Sequence, residues 1–178
     1  VILLLCTFGL IQIGKTYYKG ANTSRTQAVA RDVVDRLSQG IQYGSTAPSD
    51  STGAPIPGSI TTAGLNGGGA FCIGTNRYTY QKNKRVGEAN ADHALVVDTV
   101  TSGCAYNSSN SFDGPIANKG KELLGKGMRL MQFDLAKSGD SYTIAIRVTQ
   151  GDDDLIRPDG NCNSGAGSQF CASSYLTT

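Results

Sequence analysis

The sequence predicts an α+β fold in which one long N-terminal α-helix packs along half of its length on a small antiparallel β-sheet. Three features lead to this prediction: an uncharged apolar run at the start, an amphipathic pattern over residues 22–41, and β-type alternation in the second half of the 178 residues. One helix over residues 1–40 would be about 60 Å long, more than a small domain can cover. We therefore expect the apolar half of the helix to project.

The apolar half comprises residues 1–21 and opens with VILLLCTFGLIQI. This run is shorter than the about 20 apolar residues that a membrane-spanning helix needs. It resembles the apolar part of a secretory signal, but it has neither a basic start nor a small-residue cleavage site. The run predicts a retained anchor or assembly segment. The alternative is a helix buried against its own domain.

Two glycines interrupt this apolar half. Gly9 and Gly14 flank the sequence LIQI, in which β-branched residues also lower helix propensity. We expect a kink or a locally extended stretch between them. The alternative is that both glycines only allow helix backbones to approach each other closely.

The second part of the helix, residues 22–43, is amphipathic. Four apolar residues recur at every fourth position and predict a stripe that packs on the sheet: Val29, Val33, Leu37 and Ile41. Outside the stripe, Asp32 and Arg36 have the acid-before-base spacing that stabilises a helix. Gly40 predicts the helix end.

Residues 44–178 predict a β domain. A stretch rich in Gly, Ser, Thr and Pro over residues 44–69 predicts a long loop with one short strand near Ser59 to Thr62. Residues 70–81 and 94–100 have the composition of strands. Residues 128–149 alternate on both sides of the turn sequence LAKSGDSY, which predicts an antiparallel hairpin with one face packed on the helix stripe.

Four cysteines in the β domain predict disulfide bonds and a location outside the cytoplasm: Cys72, Cys104, Cys162 and Cys171. Three pairings are possible, and the simplest joins sequence neighbours, Cys72 with Cys104 and Cys162 with Cys171. A zinc site is the rival interpretation, but no C-x-x-C spacing occurs. A fifth cysteine, Cys6, lies in the apolar run and is expected to be a small buried hydrophobe.

Motifs and charge do not favour an enzyme or a nucleic-acid-binding protein. The net charge of +2 does not indicate the basic surface that binding of nucleic acid requires. His93 is the only histidine, and without a nucleophile motif we expect it at the surface or in a turn. Asp152, Asp154 and Asp159 are candidate calcium ligands, although their spacing departs from the known calcium loop and turns collect aspartates. No metal and no cofactor are predicted.

The order of these features resembles a known family. An apolar N-terminal segment runs into TSRTQAVARDVVDRLSQGIQYG, and a variable loop, a small sheet and a cysteine-stapled C-terminal loop follow. This layout resembles a type IV pilin or pseudopilin, and VARDVVDRLSQGIQYG is similar to the helix of the minor-pilin branch. The resemblance in sequence covers roughly the first quarter of the chain. The family's aromatic-led start and its glutamate are not found, so the sequence looks N-terminally truncated.

The resemblance implies a structural subunit that polymerises into a surface filament serving adhesion, twitching motility or DNA uptake. The implied partners are copies of the chain or other pilins, together with the pilus assembly machinery of the inner membrane, where the subunit would reside before assembly. Gly9 and Gly14 match the place where pilin helices often unwind. The implied filament-core residues are Val1, Ile2, Leu3, Leu4, Leu5, Phe8, Leu10, Ile11 and Ile13.

Two alternatives stay open at this point. One is a pseudopilin of a type II secretion-like machine. The other is a membrane-tethered extracytoplasmic binding domain, in which the helix only anchors and residues 152–159 bind calcium or a sugar.

Overall fold

The computed structural model describes residues 2–44, 46–50, 55–56, 59–61, 68–87, 93–100, 104, 120–165 and 167–178. Within these residues the chain forms one α-helix, nine β-strands and two short 3-10 helices, over Asp153–Leu155 and Ser168–Phe170. The α-helix is α1, Ile2–Tyr43. The strands are β1 Ser49–Asp50, β2 Ser59–Thr61, β3 Gly68–Ile73, β4 Asn76–Gln81, β5 Leu95–Thr99, β6 Lys121–Glu122, β7 Met128–Ser138, β8 Ser141–Gln150 and β9 Ala172–Thr177.

The strands form two antiparallel sheets. The five-stranded sheet has the order β1-β3-β4-β5-β6, and the four-stranded sheet has the order β2-β7-β8-β9. The α+β class is therefore confirmed, while the prediction of a single small sheet is wrong. The strand-like residues 70–81 do not continue one strand but turn back after Ile73, so that β3 and β4 form a hairpin of their own.

The longest hairpin, β7–β8, is confirmed as predicted. Ser138 pairs with Ser141, and Gly139 between them has a φ of +60°, which a two-residue hairpin turn with glycine first requires. A β-bulge lies between Leu130 and Gln132. The extra residue reverses the alternation of inward and outward side chains. As a result Leu130 joins the main core and Met131 does not, although unbroken alternation would place Met131 on the same face as Phe133.

Helix α1 packs on β8, on β9 and on the 3-10 turn Ser168–Phe170. Val33 and Leu37 of the predicted stripe are fully buried in the core, and Val29 and Ile41 pack partly buried against it. The core also takes in Ala30 and Val34 of the same helix.

The helix ends at Tyr43, the predicted bound of its second part, but it is more regular than the sequence predicts. It continues beyond Gly40 to Tyr43, because Gly40 serves for close packing: a Cβ there would lie 3.3 Å from Ile73 Cγ2 of β3. It also stays α-helical at Gly9 and Gly14, so the expected extended stretch is wrong for the single chain. Each glycine costs only about 1 kcal/mol relative to alanine, less than several backbone groups without helical partners would cost.

Stacked aromatic rings connect the two sheets. Phe71 of β3 and Phe133 of β7 stack at a centroid distance of 5.1 Å, and Tyr80 of β4 contacts Phe133 at 5.4 Å. All three side chains are fully buried. Burying one large apolar side chain contributes about 1.5–3 kcal/mol, so this cluster is a main source of stability.

Both disulfide bonds follow the simplest pairing. Cys72 in β3 is bonded to Cys104, and Cys162 is bonded to Cys171, with Cα–Cα distances of 5.7 Å in each pair. The second bond lies directly before β9, a strand that the sequence analysis does not predict.

Candidate functional site

The first half of α1 exposes large apolar side chains. Ile2 is 79% exposed, Leu3 80% and Ile11 54%. The exposed apolar residues of this half are Ile2, Leu3, Phe8, Leu10, Ile11 and Ile13. We call them the apolar helix segment. Of the other predicted filament-core residues, Val1 lies outside the described residues, and the side chains of Leu4 and Leu5, like that of Cys6, do too.

The apolar helix segment has no single inward face. Residues of an α-helix advance by about 100° each, so these six positions cover about two thirds of the helix circumference. No acidic or basic residue occurs from Ile2 to Gly14. A helix that is apolar all round is stable only when it is surrounded by apolar neighbours. Nothing within the described part of this chain provides them.

Among the described residues, no helix reaches the length and apolar content that crossing a membrane requires.

A polar and aromatic boundary follows the apolar helix segment. Lys15 and Lys19 are the first charged residues, and Tyr17 and Tyr18 lie between them, both exposed. The Tyr18 ring lies 6.1 Å from the ring of Phe170, in the 3-10 turn before Cys171. The C-terminal stapled loop therefore contacts the helix where it leaves the domain.

Sequence reasoning did not find the role of Phe170. The only local signal is a large aromatic residue beside the cysteine of a loop otherwise rich in Gly and Ser, and that pattern does not say which surface the ring contacts. The contact depends on the position of β9 beside α1, which is a tertiary feature.

The aspartate cluster after β8 does not form a metal site. Asp152 pairs with Arg85 at 3.0 Å, and Asp159 accepts hydrogen bonds at 3.0 Å from the backbone and side-chain nitrogens of Asn161. These two bonds lower the pKa of Asp159. The backbone oxygen of Asp154 accepts a hydrogen bond of 2.7 Å from the side-chain nitrogen of Asn163. No three acidic, histidine or cysteine residues come together within the described residues, so the calcium candidates are not joined in one site.

His93 is buried, which corrects the expectation of a surface residue. Its Nδ1 atom lies 3.6 Å from Oε2 of Glu122 in β6. The Glu122 carboxylate also accepts hydrogen bonds from the backbone amides of Ala94, Leu95 and Leu124, at 2.8, 3.2 and 2.8 Å. Burial raises the pKa of Glu122, and the three amides and His93 offset part of that shift. The arrangement is a structural clamp between β5 and β6.

A second buried ion pair lies in the same sheet. Arg77 of β4 and Asp98 of β5 are register partners, and their side chains form a two-contact ion pair, with Nε to Oδ1 at 2.9 Å. Bidentate contact is the geometry in which a buried arginine offsets most of its desolvation cost. The Arg77–Asp98 ion pair therefore stabilises the pairing of β4 and β5, and we assign it no role in ligand binding.

No protein-family model, no curated protein and no solved structure matches this chain. The class that the structure itself defines is an α+β protein whose long helix carries an unburied apolar half.

Proposed function

We propose that this protein is a structural subunit that polymerises through the apolar helix segment into a surface filament of the type IV pilus class. The observation that supports this proposal is that six large apolar side chains are exposed around the helix, while the remaining part of the chain already has its own core. A helix of this kind needs apolar neighbours on every side, and identical helices in a bundle provide them.

The free energy of burying the apolar helix segment is large enough for association. Burying each large apolar side chain contributes about 1.5–3 kcal/mol, so six of them contribute on the order of 10 kcal/mol per subunit. Association costs about 4–15 kcal/mol in lost freedom of motion. Contact with one neighbour covers only part of a helix circumference, so assembly of several copies is favoured over a dimer.

The same segment would reside in the inner membrane before assembly. Lysines and tyrosines follow the uncharged run, and this order is typical of residues at a membrane–water boundary. The assembly machinery of the inner membrane and other pilins are the corresponding partners. Unwinding at Gly9 and Gly14 would then occur on assembly, since the single chain is helical there.

Immunogold electron microscopy of whole cells, with antibody raised against residues 44–178, tests this function. Label along a surface filament identifies a major pilin, and label at filament tips identifies a minor one. Surface label without filaments contradicts the proposal and favours a membrane-tethered binding domain. Absence of label from the cell surface contradicts it in favour of a pseudopilin.

A pair of matched variants separates assembly from folding. Ile11→Asp places a charge in the apolar helix segment, and Tyr43→Asp places the same charge at another exposed apolar residue of the same helix. We expect Ile11→Asp to abolish filament label and Tyr43→Asp to retain it, with both purified variants melting at the wild-type temperature. Filaments that form normally with Ile11→Asp would exclude assembly through this segment.

A further inference from the structure

A cleft of about 320 Å³ lies beside strand β7, at the other end of the hairpin from the Gly139 turn. Three chain segments line it: Lys82 and Asn83 after β4, Arg129 and Met131 of β7, and residues 153–158 after β8. Its volume is at the lower end of the range found for small-molecule sites.

Backbone pairing builds the two sides of the cleft. Isolated bridges join Lys82 to Leu130 and Arg85 to Arg129, which hold the segment after β4 against β7. The Arg85–Asp152 ion pair ties the third segment to the same place. The bulge in β7 turns Met131 out of the main core, and this residue forms part of the cleft lining.

The lining is cationic. Lys82, Arg129 and Arg157 contribute three positive charges, and Asp153 contributes one carboxylate. In the part of the chain that the structure describes, neither Lys82 nor Arg157 forms an ion pair. The lining residues therefore have a net positive charge that an anion would neutralise, and Asp159, outside the lining, lies close enough to Arg157 to interact with it electrostatically.

Arg129 is the central residue. Its side chain is only 7% exposed, yet its ion-pair partner, Asp153, is 82% exposed. Nη1 of Arg129 donates a long hydrogen bond of 3.4 Å to the backbone oxygen of Asn83. Nε of Arg129 has no hydrogen-bond partner among the described residues. A buried cation needs a well-formed counter-charge. A solvated aspartate that contacts one end of the guanidinium supplies it incompletely.

We propose that this cleft binds a small carboxylate ligand of the acidic-sugar class, whose carboxylate replaces Asp153 on the Arg129 guanidinium. The planar guanidinium matches a carboxylate in two-contact geometry. Ile156 and Pro158 are the accessible apolar residues of the lining and suit the carbon face of a sugar ring, and Asn83 is a lining residue whose amide suits the hydroxyls of a sugar. This inference does not depend on filament assembly, since no residue of the apolar helix segment takes part.

Titration of the full chain in detergent with sodium glucuronate, measured by calorimetry, tests the proposal. Glucose, the neutral analogue, and inorganic phosphate serve as comparison ligands. We expect saturable glucuronate binding, with glucose at least about tenfold weaker because a charge-assisted contact is missing. Equal binding of glucose and glucuronate, phosphate binding as tight as glucuronate, or no glucuronate binding would overturn the proposal.

Variants locate the site. Arg157→Gln should weaken glucuronate binding about threefold, the size of an exposed charge interaction, and Arg129→Met should abolish it. Replacing the buried Arg129 also tests folding, so Asp153→Asn is the second variant. Asp153→Asn removes the carboxylate that competes with the ligand for Arg129, and it should tighten glucuronate binding. Arg31→Gln, at an exposed helix position, is the charge-matched control and should bind as wild type. Equal losses in Arg157→Gln and Arg31→Gln, or weaker binding by Asp153→Asn, would contradict the assignment.

Discussion

The two halves of α1 have the same backbone conformation but opposite environments. Ile11 in the first half is 54% exposed, whereas Val33 in the second half is fully buried. The second half concentrates its apolar residues on one stripe and carries charges elsewhere, while the first half is apolar on all sides. The difference shows that the protein's own core explains only one half of its helix. Among the described residues, nothing covers the apolar side chains of the other half.

The largest effect is expected when one substitution is made in both halves. Val33→Asp buries a charge without a partner, which costs about 4–5 kcal/mol, whereas Ile11→Asp should leave the free energy of unfolding nearly unchanged. Urea denaturation followed by the circular dichroism of the β domain measures both. Equal stability of the two variants would remove the distinction between the halves.

The disulfide bonds stabilise the β domain, and the loop closed by Cys162 and Cys171 also contacts the helix through Phe170 and Tyr18. Cys72 and Cys104 close a loop with a sequence separation of 32 residues, and Cys162 and Cys171 one of 9. Loop-closure entropy predicts losses of about 4 and about 3 kcal/mol when the cysteines of each pair are replaced by alanine. The check is the urea midpoint of each double variant. If the shorter loop proves more important than the longer one, contacts such as Tyr18–Phe170, rather than entropy, dominate its contribution.

No pH effect is expected from residues Ile2 to Gly14, which include no acidic or basic residue, whereas the β domain contains a buried carboxyl group, that of Glu122. Burial raises the pKa of Glu122 above its usual 4.5 in the folded state. The folded protein therefore holds this proton more tightly than the unfolded chain, so the contribution of Glu122 is fully present below pH 4.5 and is lost as pH rises through the raised value.

Glu122→Gln tests this sign. We expect the difference in unfolding free energy between wild type and Glu122→Gln to shift with pH, with wild type losing relative stability from pH 4 to pH 7. Lys137→Gln, at an exposed position of β7, is the control. A difference that does not change with pH would show that the three amide contacts compensate for burial completely.

The smallest effect concerns the outward face of the second half. Asp32 and Arg36 form an exposed ion pair at 2.8 Å with the favourable spacing. Asp32→Asn should cost a few tenths of a kcal/mol at low salt and nothing measurable at 1 M salt. Thermal unfolding at the two salt concentrations checks this. A cost that persists at high salt would mean that Asp32 stabilises the helix by something other than charge.

Local patterns in the sequence were enough to predict the long helix, the stripe with Val33 and Leu37 and the β7–β8 hairpin. For the four cysteines the sequence left three pairings open, and the structure has the simplest of them. The division of the strands into two sheets could not be predicted, because pairs such as Val96 with Glu122 in one sheet and Ile60 with Leu135 in the other join residues that are distant in the chain. The place of Met131 was missed since a bulge of one residue reverses alternation without a clear sequence signal.

For the candidate sites too, a feature formed by neighbouring residues could be predicted, and one formed by residues distant in the chain could not. The apolar helix segment is one continuous stretch, and composition identifies it directly. The cleft around Arg129 combines three segments separated by tens of residues, and its buried arginine looks like any strand residue in the sequence. His93 was misplaced for the same reason, because its burial depends on Glu122 of another strand.

The position of the Cys162–Cys171 bond has a mechanical consequence. The bond directly precedes β9, the strand that contacts α1, and it ties the start of that strand to the segment that follows β8. While the bond is intact, β9 therefore stays tethered at this end. Support of the helix by β9 thus becomes sensitive to reduction of the bond.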